Sequence, residues 1–338
     1  MSLPGSSPRQ ATRGAAAGLV RMDLTGNPYG PTEHVANALA AGPGDRDPAS
    51  LAVELEQKVA AFAHVPPRSV LLAPRIDDLV AAWIARSDRD TPVIRFPPGA
   101  CLPPLPGGRP LVEVHRGPGF LPSLDAETAA ELPAGGIAIL QSPHDPSGAL
   151  CPPEDVVRLA RACALVIVDQ RHGGYSTRTL APLAREFDNL LVLDTLETWG
   201  GLEGYPVGWA LGSPRMLERL GGCGPVPSGS LLAGLAVFDD LRNVHLSTRR
   251  VGDERSRLYR MLRKLNLVQP MPSWANFLLA RVTRGDRDAI VAALAERGIV
   301  VHAPEAPALD RCIRVSACRP EHTDALRRAL VEISASVE

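Results

Sequence analysis

The feature that most limits how this chain can fold is its repeated switch between two hydrophobic periods. Short β-branched or apolar runs fall at Ser69 to Leu72, Pro92 to Phe96, Leu111 to His115, Gly136 to Gln141, Ala164 to Asp169, Asn189 to Asp194 and Val207 to Leu211. Between them, Ser50 to Ala63, Asp77 to Arg86, Ala126 to Leu132 and Glu154 to Ala162 repeat apolar residues at helical spacing. A chain that alternates in this way buries each strand beneath helices, so the pattern predicts a layered α/β sheet covered on both faces. Ser213-Pro214 places an N-cap and a first-position proline before a helix over Arg215 to Leu220. Helices are then expected from Ser230 to Leu265. They are followed by a strand at Asn276 to Val282, a helix at Asp286 to Arg297, a strand at Cys312 to Ala317 and a last helix from about Glu321.

Bulk properties narrow the class of partner. With 45% hydrophobic residues, 22% charged residues and a net charge of −1, the chain can bury a core and has no electrostatic bias toward nucleic acid or a membrane. No apolar run approaches the roughly 20 residues of a membrane span. Residues 1–22 are rich in Ala, Arg, Gly, Pro and Ser and read as a disordered tail. Cys101, Cys151, Cys163, Cys223, Cys312 and Cys318 show no metal-site spacing and read as reduced thiols of a cytoplasmic protein.

Four segments recur in one order along the chain. Asn27-Pro28-Tyr29-Gly30-Pro31 comes first, then Ser142-Pro143-His144-Asp145-Pro146-Ser147-Gly148, then Val168-Asp169-Gln170-Arg171-His172, and finally Thr195 to Gly208. In that order they resemble the N-P-Y-G-P, N-P-N-N-P-T-G, V-D-E-A-Y and T-L-S-K-A-F-G-L-A-G-L-R-x-G segments of the fold-type I pyridoxal-phosphate aminotransferases. The closest branches are the histidinol-phosphate aminotransferases and threonine-phosphate decarboxylases. The resemblance implies the aspartate aminotransferase-like fold: a large domain with a mostly parallel sheet and a smaller C-terminal α/β domain. It divides the chain into a tail (1–22), an N-terminal segment that completes the small domain around Thr32 to Ala41 (23–45), a large domain (46–245) and a small domain (246–338).

The same resemblance puts Thr198 where the family has its Schiff-base lysine. Only two of the 36 basic residues are lysines, Lys58 and Lys264, and both lie on helical patterns outside the four segments. A lysine amine condenses with an aldehyde and then moves a proton, which a threonine hydroxyl cannot do. Other family contacts are also changed. Arg75-Ile76 stands where a phosphate-cradling Gly-Ser is expected, Ala100 at the ring-stacking aromatic, Asp145 and His172 at the two groups facing the ring hydroxyl, and Glu197 and Pro206 at phosphate ligands. Asp169, which would face a pyridine nitrogen, Arg314, which would fork onto a substrate carboxylate, and Tyr29, which would reach across a dimer, are retained.

Three readings follow. The first is a pseudo-aminotransferase, a homodimer or the partner of an active paralog, that holds no cofactor and binds a small carboxylate or other anion. The second binds pyridoxal or pyridoxamine phosphate non-covalently, at Asp169, Asp145, His172 and Tyr29, with His172 as the base. The third is a repurposed pocket in which Asp145, Asp169, His172 and Glu197 form a metal or acid–base site. Strand topology supports the third because ligands of open α/β sheets sit at the carboxyl ends of strands, where these residues fall. Against it stands the simpler expectation that the acids pair with Arg75 or Arg171.

Overall fold

The computed structural model describes residues 18–99, 108–122 and 124–336. Most of the proposed tail and Ala100 therefore lie outside the described residues. The described chain opens with a two-residue strand, β1 (Val20–Arg21), and α1 (Glu33–Ala41), whose N-cap Thr32 accepts a hydrogen bond from the Val35 amide. α2 (Pro48–Ala63) starts on an Asp47 cap with proline at its first position, where the missing amide proton costs nothing. There follow β2 (Val70–Ala73), α3 (Ile76–Arg86), β3 (Val93–Arg95), β4 (Leu111–Glu113), α4 (Ala126–Ala130), β5 (Ile137–Gln141), α5 (Pro153–Ala162), β6 (Leu165–Asp169), β7 (Leu190–Thr195) and β8 (Gly208–Leu211). The C-terminal part contains α6 (Pro214–Leu220), α7 (Ser228–Asp239), α8 (Leu241–Arg263), β9 (Val268–Pro270), β10 (Phe277–Val282), α9 (Arg287–Glu296), β11 (Ile299–Val300), β12 (Cys312–Ser316) and α10 (Pro320–Ser336).

The large sheet has the order β2-β8-β7-β6-β5-β3-β4. Its pairs are parallel from β7 to β4, and β8 is antiparallel to both neighbours. Every residue of β6 is buried, as expected of a parallel strand covered twice. Side chains alternate between the faces. Val166, Val168 and Val192 join the core beneath α2, α7 and Trp199, whereas Ile167, Leu191 and Leu193 join Ile76, Leu79, Met216 and Leu217 from α3 and α6. Eight of the twelve residues of α7 are buried, so this helix has no solvent face and serves as a central post for α1 and α2. No helix among the described residues is long and apolar enough to cross a membrane.

A second, antiparallel sheet has the order β12-β10-β9. The N-terminal segment is fixed to this region by the parallel pairing of β1 with β11, by Ser316 N donating to Met22 O at 2.8 Å and by Asn276 Nδ2 donating to Thr25 O at 2.7 Å. The link runs through Val20 to Thr25, while α1, the segment from which the sequence pattern builds the small domain, packs on α7. β1 and β9 are too short for a hydrophobic period to reveal them.

Asn27 to Pro31 lies against the loop after β7. Asn27 N donates to Thr198 O at 2.9 Å, and Asn27 Nδ2 to Trp199 O at 3.1 Å. This approach needs Gly201, whose φ is +72° and whose hypothetical Cβ would sit 2.5 Å from the Gly30 carbonyl carbon. Gly201→Ala is expected to lower unfolding stability by about 2–3 kcal/mol. Gly204→Ala, with nothing within 4 Å of the added carbon, should change it by less than about 0.5 kcal/mol, both read from urea melts.

Candidate active site

The carboxyl ends of β3, β5 and β6 open onto a cleft of about 740 Å³, whose walls include Asp77, Gln141, His144, Asp169 and Arg171. Asp169, the last residue of β6, is buried. Its Oδ1 accepts from the Arg171 amide at 2.9 Å, and its Oδ2 accepts from Arg171 Nε at 2.7 Å and Gln141 Nε2 at 3.1 Å. Arg171 then spans to the first turn of α3, where Nη2 meets Asp77 Oδ1 at 2.5 Å. Burial opposes the Arg171 charge, but Asp169 and Asp77 outweigh it and raise the guanidinium pKa further. Beside it, Arg75 lies 3.3 Å from Glu197 Oε2 and 3.6 Å from Asp77 Oδ2. Burial raises the Glu197 carboxyl pKa despite Arg75 and Arg171. Asp169, Arg171, Asp77, Arg75 and Glu197 thus form an alternating acid–base row across the N-terminus of α3.

A second cluster joins the two sheets. Arg314 of β12 sends Nη1 to both oxygens of Asp145 at 2.7 Å and Nη2 to Asp23 O at 2.7 Å, and its guanidinium lies 5.1 Å from the centre of the Phe277 ring. His172 meets the same ring edge-on, and its Nε2 is 3.8 Å from Asp145 Oδ2, an electrostatic contact too long for a hydrogen bond. His172 Nδ1 and Arg314 Nε are buried without hydrogen-bond partners. Burial pushes the Asp145 carboxyl up, but Arg314 and His172 together pull it well below the usual carboxylate range.

The four residues grouped by the sequence therefore divide into two sets. Asp145 pairs with Arg314 and faces His172, whereas Asp169 and Glu197 belong to the row held by Arg171 and Arg75. Among the described residues no group of three or more His, Cys, Asp or Glu side chains is placed to hold a metal ion. Thr198 is buried and its hydroxyl donates to the Arg171 carbonyl. Tyr29 is half-buried between the guanidinium groups of Arg250 and Arg319, at 5.9 and 5.6 Å. Lys58 Nζ is held by Asp239 Oδ1 at 2.6 Å, and Lys264 is the C-cap of α8. Sequence reasoning gives Arg171 only the part of a salt-bridge partner and gives Asp77 none. Their signal is an arginine two residues beyond a strand-end aspartate, and an acid in the first turn of a helix that opens on the same edge.

His144 closes one wall. Its Nε2 donates to Pro98 O at 2.6 Å, which leaves Nδ1 to accept from the Ser147 hydroxyl at 2.7 Å. Burial, aided by Arg116, lowers its pKa to about 3. The unfolded chain titrates near 6.5, so it takes up this proton first as the pH falls. Stability from the neutral ring should then decline by about 1.4 kcal/mol per pH unit between 6.5 and about 3, and His144→Asn should remove that slope in urea melts across the range. Arg314→Ala, which leaves Asp145 buried without its cation, is expected to cost about 3–5 kcal/mol in the same assay at neutral pH, and Asp145→Asn less.

Comparison with known proteins agrees with this architecture. Residues 122–333 match the aminotransferase class I and II family. A histidinol-phosphate aminotransferase of Dehalococcoides mccartyi is 30% identical over 226 residues, covering 66% of this chain, and the match spans 63% of that relative's length. The corresponding protein of Roseiflexus castenholzii is 29% identical over 337 residues, covering 94% of this chain and 90% of its own. The crystal structure of histidinol-phosphate aminotransferase from Sinorhizobium meliloti, in complex with pyridoxal-5'-phosphate, superposes with a TM-score of 0.78 at 23% identity, covering 94% of this chain and 91% of that one. That complex, with the family match, overturns the expectation that the scaffold carries no cofactor; pyridoxal phosphate is the group its cleft has to be measured against. The α/β layering, the mostly parallel sheet and the family match agree: this chain is a member of the aminotransferase class I and II family, similar to histidinol-phosphate aminotransferases.

Proposed function

We propose that this chain is an aminotransferase-family protein that takes pyridoxal phosphate as a non-covalent guest, its Schiff-base lysine having been replaced by Thr198. The observation that carries this reading is the placement of the two lysines. Lys58 is tied to Asp239, Lys264 ends α8, and neither lines the cleft. The donor set around the cleft fits such a guest in part. The first-turn amides of α3, beside Arg75, suit a phosphate, because Arg75 provides no side-chain cap for them. Asp169 suits a protonated ring nitrogen. Arg75 and Asp169 already have partners, so binding must exchange the Arg75 contacts with Glu197 and Asp77, and part of the Arg171 grip on Asp169, for contacts with the guest.

When bound, pyridoxal phosphate supplies an electron-withdrawing ring. The chain's own contribution is to orient that ring through Asp169, with His144 forming one wall of the cleft. A second reading makes His172 the base that moves a proton, favoured by its buried and unpartnered Nδ1. Arg314 is committed to Asp145, so a small carboxylate has to displace an internal one. As assembly, we propose a homodimer, or a heteromer with an active paralog.

Titration with pyridoxal phosphate, followed by borohydride reduction and intact-mass analysis, should give saturable binding without an adduct. A reduced adduct on Lys58 or Lys264 would refute the reading. Thr198→Lys alone is expected to leave transamination of amino acids at background, because Asp145 still holds Arg314 and Glu197 still faces the phosphate position. The triple variant Thr198→Lys/Asp145→Asn/Glu197→Ser should exceed it at least about tenfold if each acid costs one charge-assisted contact. Efficient turnover by the single variant would show that this account of the cleft is wrong.

A further inference from the structure

The walls of the cleft carry three arginines and three carboxylates among the described residues, and their pairing leaves one arginine over. Arg171 takes Asp169 and Asp77. Arg95 takes Glu113, with Nε meeting Oε1 at 2.6 Å. Arg116 forms no ion pair among the described residues. Burial lowers its pKa to about 10, because no carboxylate stands close enough to hold the charge.

Arg116 is nevertheless fixed in place. It lies just beyond β4, where its amide donates to Pro97 O at 3.1 Å. Its Nε donates to Phe96 O at 3.0 Å and its Nη1 to Phe120 O at 2.9 Å. Phe120 has a φ of +60°, directly after Gly119 at +69°. A left-handed conformation is costly for a bulky residue. Here it presents the Phe120 carbonyl to the guanidinium while the Phe120 ring stacks on His144, with centres 6.2 Å apart. Two of the five N–H groups are thus held by main-chain carbonyls, and both protons of Nη2 remain. Nη2 is not sealed in: it keeps solvent access on a residue that lines the cleft.

We propose that Arg116 Nη2 is the anion-binding point of this cleft, and that the ligand it takes there is a small monocarboxylate with an apolar body. At Arg314 an incoming carboxylate has to displace Asp145, whereas at Arg116 it displaces no acid. A guanidinium held away from bulk water also binds an anion more strongly than a surface one does. Glu113 and Asp169 on the same walls disfavour a phosphate dianion, which calls for more donors than one nitrogen supplies. Pro97, Ala306, Pro307 and Ala308 line the cleft with accessible apolar surface for the body of the ligand. The assignment rests on this cleft being the ligand site, and not on whether pyridoxal phosphate enters it.

The test is a titration of the full chain with 4-fluorobenzoate, followed by fluorine NMR of the probe, with 4-fluorobenzamide as its neutral counterpart. Saturable binding of the benzoate is expected, with the amide at least about tenfold weaker. Arg116→Met, which keeps an apolar stem and removes the charge, should weaken benzoate binding at least about tenfold. Ala308→Glu adds an acid at an exposed position of the same lining. It should weaken benzoate binding with the urea melt unchanged, and it decides the matter should Arg116→Met not fold. No saturable binding up to millimolar benzoate, equal affinity for the amide, or undiminished affinity in either variant would each overturn the proposal. A chain that binds pyridoxal phosphate but ignores benzoate sinks this assignment and leaves the cofactor reading standing; Arg116-dependent benzoate binding by a chain that ignores pyridoxal phosphate does the reverse.

Discussion

The ion pair between Asp145 and Arg314 is the contact on which the rest of the cleft depends. Asp145 belongs to the loop after β5 of the large sheet, Arg314 to the central run of β12, and one nitrogen of Arg314 meets both carboxylate oxygens at 2.7 Å. Taking two such charges out of water is costly, and their attraction compensates only when the remaining donors are also used. Here Arg314 Nη2 finds Asp23 O although Nε stays unpartnered, so a single guanidinium links the large sheet, the small sheet and the N-terminal segment. The same pair sets the field at His172, and it occupies the fork that a free carboxylate would otherwise claim. The arrangement fixes the two sheets relative to each other and closes one recognition group in the same step.

Much of the fold was legible because hydrophobic period is a local property. β6 is five consecutive buried residues between helices, and Ser213-Pro214 announces α6 by capping chemistry alone. β1 and β9 carry no such signal, since two or three residues cannot display a period and gain their structure from partners distant in sequence. The site was legible as a set of positions, because strand ends gather residues in an α/β sheet. Its pairing was not. Whether Asp145 turns to His172, to a metal or to Arg314 depends on how β12 docks, and nothing local to Asp145 encodes that. Asp194 shows the opposite case: alternation along β7 already puts it on the same face as Leu190 and Val192, and it lies there half-buried, its Oδ1 accepting from Trp199 Nε1.

Arginine, rather than lysine, suits this cleft for a physical reason. Three arginines at the cleft and beside it each serve more than one acceptor: Arg171 joins Asp169 to Asp77, Arg75 lies between Asp77 and Glu197, and Arg314 joins Asp145 to a main-chain carbonyl. A planar guanidinium can do this while fully charged in a buried setting, whereas an ammonium offers a point charge that burial drives toward neutrality. Asp145, which has such a partner, stays ionised. Asp194 has no arginine and is held near neutral protonation instead, while Glu197, with one arginine at 3.3 Å and substantial burial, lies between the two. The direction in which Asp145, Glu197 and Asp194 are shifted thus follows how closely a fork-shaped cation reaches each. A cleft compensated in this manner stores binding capacity as ion pairs that a ligand has to exchange, which favours ligands that bring both a negative group for the arginines and a donor for the acids.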